Sequence, residues 1–161
     1  MITLKTDKPV LCLGDVNPDL ILPYGEAREA LDAVARGEKN RQRKKGAHVE
    51  CGGSIGNTTS NLAKLGVETW FAGKVGDDAF GQFLKKDFEK DGVNTKYMVM
   101  DKDSSTCIVS AVIGLDHERV VFVWPQEKAA HMKLVPEDLP DSLISEIGWV
   151  HSSGIMLREN P

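Results

Sequence analysis

Three glycines, Gly52, Gly53 and Gly56, fall within five residues, between a short β-like segment at 48–51 and a stretch that carries Leu62 and Leu65 before a stop at Gly66. The run GGSIGN reads as a strand emptying through a tight turn into a helix, because glycine accepts backbone angles that a side chain forbids. Apolar runs on either side repeat the theme. Residues 10–14 (VLCLG) end at Gly14 and Asp15, and 18–22 continue them as a second extended piece. Residues 67–75 (VETWFAGKV) read as another strand, after which Gly76, Asp77 and Asp78 open a helix with Phe80, Phe83, Leu84 and Phe88 on one face, closed by Gly92. Strands alternating with helices build a parallel sheet covered by helices, so the fold class expected is α/β.

Other segments depart from that alternation. Between Gly25 and Arg36 the apolar positions Ala27, Ala30, Leu31, Val34 and Ala35 recur at helical spacing, which predicts a short amphipathic helix stopped by Gly37. Residues 106–113 and 119–124 are β-rich and are joined by GLDHE, the pattern of a hairpin and of a β subdomain set on the α/β core. Residues 136–147 read as short helical turns, and 148–152 as a new core strand.

Charge narrows the function classes. The 161 residues carry 20 basic and 24 acidic side chains, a net charge of -4, which gives no global attraction to nucleic acid or to an anionic membrane. No apolar run approaches the ~20 residues of a bilayer-spanning helix. Lys5, Asp7, Lys8 and Pro9 stand where a secretory signal needs an unbroken apolar stretch, so a cytoplasmic chain is expected. Cys12, Cys51 and Cys107 are odd in number, widely spaced and without a CxxC pair, hence expected as reduced thiols with no metal role. The run from Lys39 to Lys45 holds five cations in seven residues and no aromatic. It reads as a solvated loop or, as a distant alternative, a polyanion-binding patch diluted by Glu26, Glu29, Glu38 and Glu50.

The helix after Gly76 needs a cap, and Asp77 or Asp78 is placed to supply it. Residues 73–77 (GKVGD) imitate a phosphate-binding turn, but an aspartate beside the donors repels phosphate, so no phosphate site is expected there. Of the histidines, His151 at a strand end is placed nearest a pocket, and none has a second ligand at metal spacing.

Taken in order, GDVNPDLI (14–21), GGSIGN with its helix (52–66), GKVGDDAFG (73–81) and STCIVSAVIGLDHERVVFVW (105–124) make the chain resemble the ribokinase-like (PfkB-type) carbohydrate kinases, over the N-terminal half of that family's length. The resemblance implies a Rossmann-like three-layer α/β/α core, incomplete here, from about 9–15, 53–100 and 126–161. It also implies a small β-sheet lid from about 16–52 and 104–125.

Asn17, Asp19, Gly52, Gly53 and Asn57 are carried over as sugar-binding positions. A carboxylate at Asp19 accepts two hydroxyls at once, and Asn17 adds an amide that donates and accepts. Gly52 and Gly53 let backbone approach the sugar, and Asn57 either caps the helix or bonds a hydroxyl. Read without the resemblance, the same residues are turn formers bonding their own backbone. Some sugar-kinase subfamilies have a lysine at the position of Ser54.

The resemblance further implies ATP and Mg for a full-length member. It places the base in a GAGD-type turn and a metal-proximal NxxE-type segment in the C-terminal half; neither occurs here, and Asn160 is followed only by Pro161. The expectation is an N-terminal sugar-binding portion of an ATP-dependent kinase, inactive and binding no cofactor by itself. The alternative is a non-catalytic sugar-binding or dimerising module. A small-molecule sugar and a second copy, held through the lid or an exposed sheet edge, are the partners expected.

Overall fold

Alternation along the first strand sends Val10 and Cys12 into one apolar cluster and Leu11 and Leu13 into another, the signature of a strand buried on both faces. The computed structural model describes residues 7–37, 47–113, 119–124 and 129–153. The basic run at 39–45, His117 and Asn160 lie outside the described residues. In chain order the elements are β1 Val10–Gly14, β2 Asn17–Pro23, α1 Tyr24–Ala35, β3 His48–Gly52, α2 Ser54–Lys64, β4 Thr69–Gly76, α3 Ala79–Lys90, β5 Asn94–Asp101, β6 Ile108–Ile113, β7 Arg119–Trp124, α4 Leu143–Glu146 and β8 Trp149–Ser153. Short 3-10 turns at Ala130–Lys133 and Pro136–Asp138 precede α4.

Two sheets result. The first is parallel, in the order β5-β4-β1-β8. Ile55 of α2 and Leu84 and Phe88 of α3 pack with Val10, Cys12, Phe71 and Val75 on one face, where the Phe71 and Phe88 rings lie 4.8 Å apart. Leu143 and Ile147 cover Leu11, Ala72 and Tyr97 on the other. The second sheet runs β3-β2-β6-β7, with β2 antiparallel to β3 and parallel to β6, and β6 antiparallel to β7. The fold is thus α/β with a parallel sheet between helical layers, joined to a second four-stranded sheet.

The structure departs from expectation at three places. The reading of the sequence contained no strand at Asn94–Asp101, yet β5 forms the edge beside β4 and buries Tyr97 and Met98. Thr95, Tyr97 and Val99, strand-favouring residues at alternate positions, supply its β signal. Of the stripe expected on α1, Leu31 and Val34 are 72% exposed, whereas Ala33, outside that stripe, is buried. Because α1 touches β2 and β6 of the second sheet, a short side chain allows the closer approach. The glycine turn is shorter than expected, since Gly53 is already the N-cap and α2 starts at Ser54. Strand β8 forms where a core strand was expected, as the edge of the parallel sheet beside β1, with Trp149 68% exposed there.

Candidate functional site

The chain crosses from the first sheet to the second between β1 and β2 and returns between β3 and α2, and the candidate residues sit at these two crossings. Antiparallel register sets Asn17 opposite Gly52 and Asp19 opposite Glu50. The two-residue period of β2 turns Asn17 and Asp19 to one face and Pro18, which is buried, to the other. The Asn17 amide Nδ2 donates to Asp19 Oδ1 at 2.5 Å, so amide and carboxylate form one polar unit.

The glycines make room for that unit. A Cβ on Gly52 would fall on the Asp19 carboxyl group. At Gly53 the backbone has φ +85°, and a Cβ would lie 2.8 Å from the Asp15 carbonyl oxygen and 2.9 Å from Asn17 Oδ1. Both positions therefore need glycine, Gly52 for space and Gly53 for conformation as well. Gly53, as N-cap, carries no side chain over the first-turn N–H groups of α2.

Burial raises the Asp19 carboxyl above its ordinary value; the Asn17 amide and the charge of Arg119 pull it back, and Glu50 pushes it up again. Arg119 begins β7, two strands from β2, and no local motif marked it as a neighbour of Asp19. Its contribution depends on sheet order, which sequence spacing does not encode.

Asn57 lies one helical turn past Gly53. It lies in the fourth helical position of α2, its backbone N–H bonded to the Gly53 carbonyl at 3.0 Å, so it is not the cap. Its side chain is exposed and borders a cleft of about 400 Å³ with Cys51, Asn61, Lys64, Asp87 and Asp91. Lys64 pairs there with Asp91 at 2.8 Å. The Cys51 thiol is pushed up to about 12 by burial, with Asp87, Asp91 and Asp19 adding to it.

The remaining sequence candidates resolve structurally. Asp78 is the N-cap of α3, its carboxylate accepting from the N–H groups of Phe80 and Gly81. With that carboxylate over the first turn, the α3 N-terminus does not fit a phosphate. Lys74 is committed to Asp138 at 2.8 Å and to the Lys133 carbonyl at 3.2 Å. His151 lies half-buried on β8, paired in register with Cys12. Cys12 and Cys107 are buried free thiols, both raised by burial, Cys107 to about 11. Among the described residues no group of three or more His, Cys, Asp or Glu is arranged to hold a metal ion, and no helix is long and apolar enough to cross a membrane.

Residues 8–161 match the family model described as pfkB family carbohydrate kinase. A fructokinase of Klebsiella pneumoniae is 34% identical over 151 residues, which cover 92% of this chain and 41% of that protein. The chain thus spans less than half the length of that curated relative. The crystal structure of fructokinase with bound ATP from Xylella fastidiosa superposes with a TM-score of 0.70 at 24% identity, over 91% of this chain and 39% of that one. A PfkB protein from Polaromonas sp. JS666 gives 0.73 at 17% identity, over 92% and 45%. These two structural likenesses show the fold.

Proposed function

The chain belongs to the pfkB family of carbohydrate kinases, and on that premise we propose that it supplies the sugar-binding portion of an ATP-dependent enzyme that phosphorylates a sugar hydroxyl. The observation that carries this reading is the Asn17–Asp19 unit set over Gly52 and Gly53. Asp19 accepts hydroxyls, Asn17 fixes the carboxylate's orientation and offers a further polar contact, and the glycine backbone lets a ring approach. A carboxylate partly withdrawn from water binds hydroxyls more strongly than an exposed one, because the competing solvent is reduced. Asn57, from its helix position, would contact a sugar only at the margin of this group.

ATP supplies the phosphoryl group in such a reaction. The α3 N-terminus does not accommodate its phosphates, since Asp78 covers the donors, and Lys74 is already paired. We place the ATP and Mg contacts and the catalytic base outside residues 1–161, and no chemical step is assigned to this chain's side chains. The bound Xylella fructokinase supports ATP as donor, and the Klebsiella fructokinase supports a ketohexose or similar sugar as acceptor. The second sheet would act as a lid over the sugar and, with its exposed β7 strand, as a contact for a second copy in the cytoplasm.

A paired experiment tests the reading. Calorimetry of the 161-residue chain with D-fructose and other common sugars should detect binding, and a coupled assay for ADP release should detect no turnover. Failure to bind any sugar contradicts the sugar site. Turnover that survives repurification contradicts the placement of the base and phosphate contacts outside this stretch.

A further inference from the structure

Between β5 and β6 the chain leaves the parallel sheet for the second sheet a further time, and the Asp78 carboxylate bonds it to the start of α3 there. Asp78 Oδ1 accepts from the Thr106 hydroxyl at 2.8 Å and Oδ2 from the Thr106 N–H at 2.8 Å, while Oδ1 also accepts from Phe80 N at 3.0 Å and Gly81 N at 2.9 Å. The Thr106 hydroxyl oxygen in turn accepts from Gly76 N at 3.0 Å. Thr106 is buried, and side chains at Gly76 or Gly81 would strike this cluster: a Cβ on Gly76 would lie 2.6 Å from both Asp78 Oδ2 and Thr106 N. Just beyond, Ala130 N donates to the Ser105 carbonyl at 2.9 Å, which ties this crossing to the chain that follows β7.

The cap alone does not require this arrangement. Two N–H groups of α3 satisfy the usual demand on an N-cap aspartate, yet the same side chain also takes both donors of a residue 28 positions away. Val109, three residues past Thr106, lies in register with Asp19. One bonded path from α3 to the candidate site is therefore Asp78, Thr106, β6, β2, beside the direct contact of α3 with β2. The Asp78–Thr106 crossing is held by paired donors and acceptors.

We propose that Asp78 and Thr106 are positioning residues that anchor the second sheet to the core and so set where Asp19 is held over the sugar. This rests on the sugar-binding reading for its consequence, but not for the anchor itself.

The test is amide hydrogen exchange on the intact chain carrying Thr106→Val, which keeps the α3 cap and removes the hydroxyl, with Thr106→Ser as the conservative variant. Exchange in β2 and β6 should speed by about tenfold in the valine variant, while β1 and β4 stay unchanged apart from Gly76, whose N–H loses the Thr106 hydroxyl, and serine should restore the wild-type pattern. The dissociation constant for D-fructose should rise about tenfold in Thr106→Val alone. Equal acceleration in both sheets, or none, overturns the anchor, since a merely stabilising threonine loosens the whole fold. Selective exchange with unchanged fructose affinity overturns the claim that the anchor positions Asp19. Should wild type bind no fructose, the sugar reading fails, and the exchange pattern still decides the anchor.

Discussion

The Asp19 carboxyl group occupies the space that a side chain on Gly52 would need, so two residues on adjacent strands are mutually exclusive in size. Gly52→Ala must displace Asp19, break its contact with Asn17, or bend β3. The expected outcome is weaker sugar binding with a stability loss of about 1–3 kcal/mol, the usual range for overpacking. Denaturant unfolding and calorimetry of the variant measure both, and an unchanged affinity would remove this pair from the site.

Asp78 predicts a pH dependence. Burial alone would raise its carboxyl, but hydrogen bonds from Thr106, Gly81 and Phe80 outweigh that and hold it below the ordinary value of 3.8. A depressed folded-state value contributes stability that is present above 3.8 and is lost as pH falls through the lower folded value. Asp78→Asn should therefore cost about 0.5–2 kcal/mol at pH 7 and progressively less in acid. Thermal unfolding of both proteins from pH 7 to pH 3 checks this, and a constant difference across that range contradicts it.

Thiol reactivity should be low. With Cys51 pushed up to about 12 and Cys107 to about 11, the thiolate at pH 8 is a very small fraction of either. Iodoacetamide should label the folded chain far more slowly than the chain unfolded in urea, as read by intact mass. Rapid labelling of folded protein at Cys51 would show that its cleft is more open and more cationic than this structure has it.

Much of this was legible in the residues because local periodicity and tertiary burial agree. Strand β1 and helix α3 follow directly from VLCLG and from Phe80, Phe83, Leu84 and Phe88, although Phe80 remains 37% exposed. Pairing of Asn17 with Asp19 across two positions of one strand was also within reach of the sequence. Long-range placement was not. Arg119 near Asp19 depends on β6 lying between β2 and β7, and Thr106 meets Asp78 only because β5 passes beside β4. Strand β5, by contrast, was within reach of the sequence, in the alternation of Thr95, Tyr97 and Val99.

Strand β7 offers an edge and two apolar faces. Val120, Val121, Phe122, Val123 and Trp124 are all exposed, with the Phe122 and Trp124 rings stacked at 6.4 Å. An apolar edge strand recruits another chain. Light scattering over a tenfold dilution should show a dimer that Val121→Lys dissociates. A monomer at every concentration, indifferent to the lysine, would contradict self-association through this strand.

Calorimetric titration of sugars into wild type and Asp19→Ala tests the proposed sugar site most directly. Removing the carboxylate leaves hydroxyls unpaired at a cost of about 1–3 kcal/mol, so wild type should bind D-fructose or a related sugar some 5- to 150-fold more tightly than the alanine variant. Equal affinities for the two proteins, with both folded by circular dichroism, would contradict the assignment of this site.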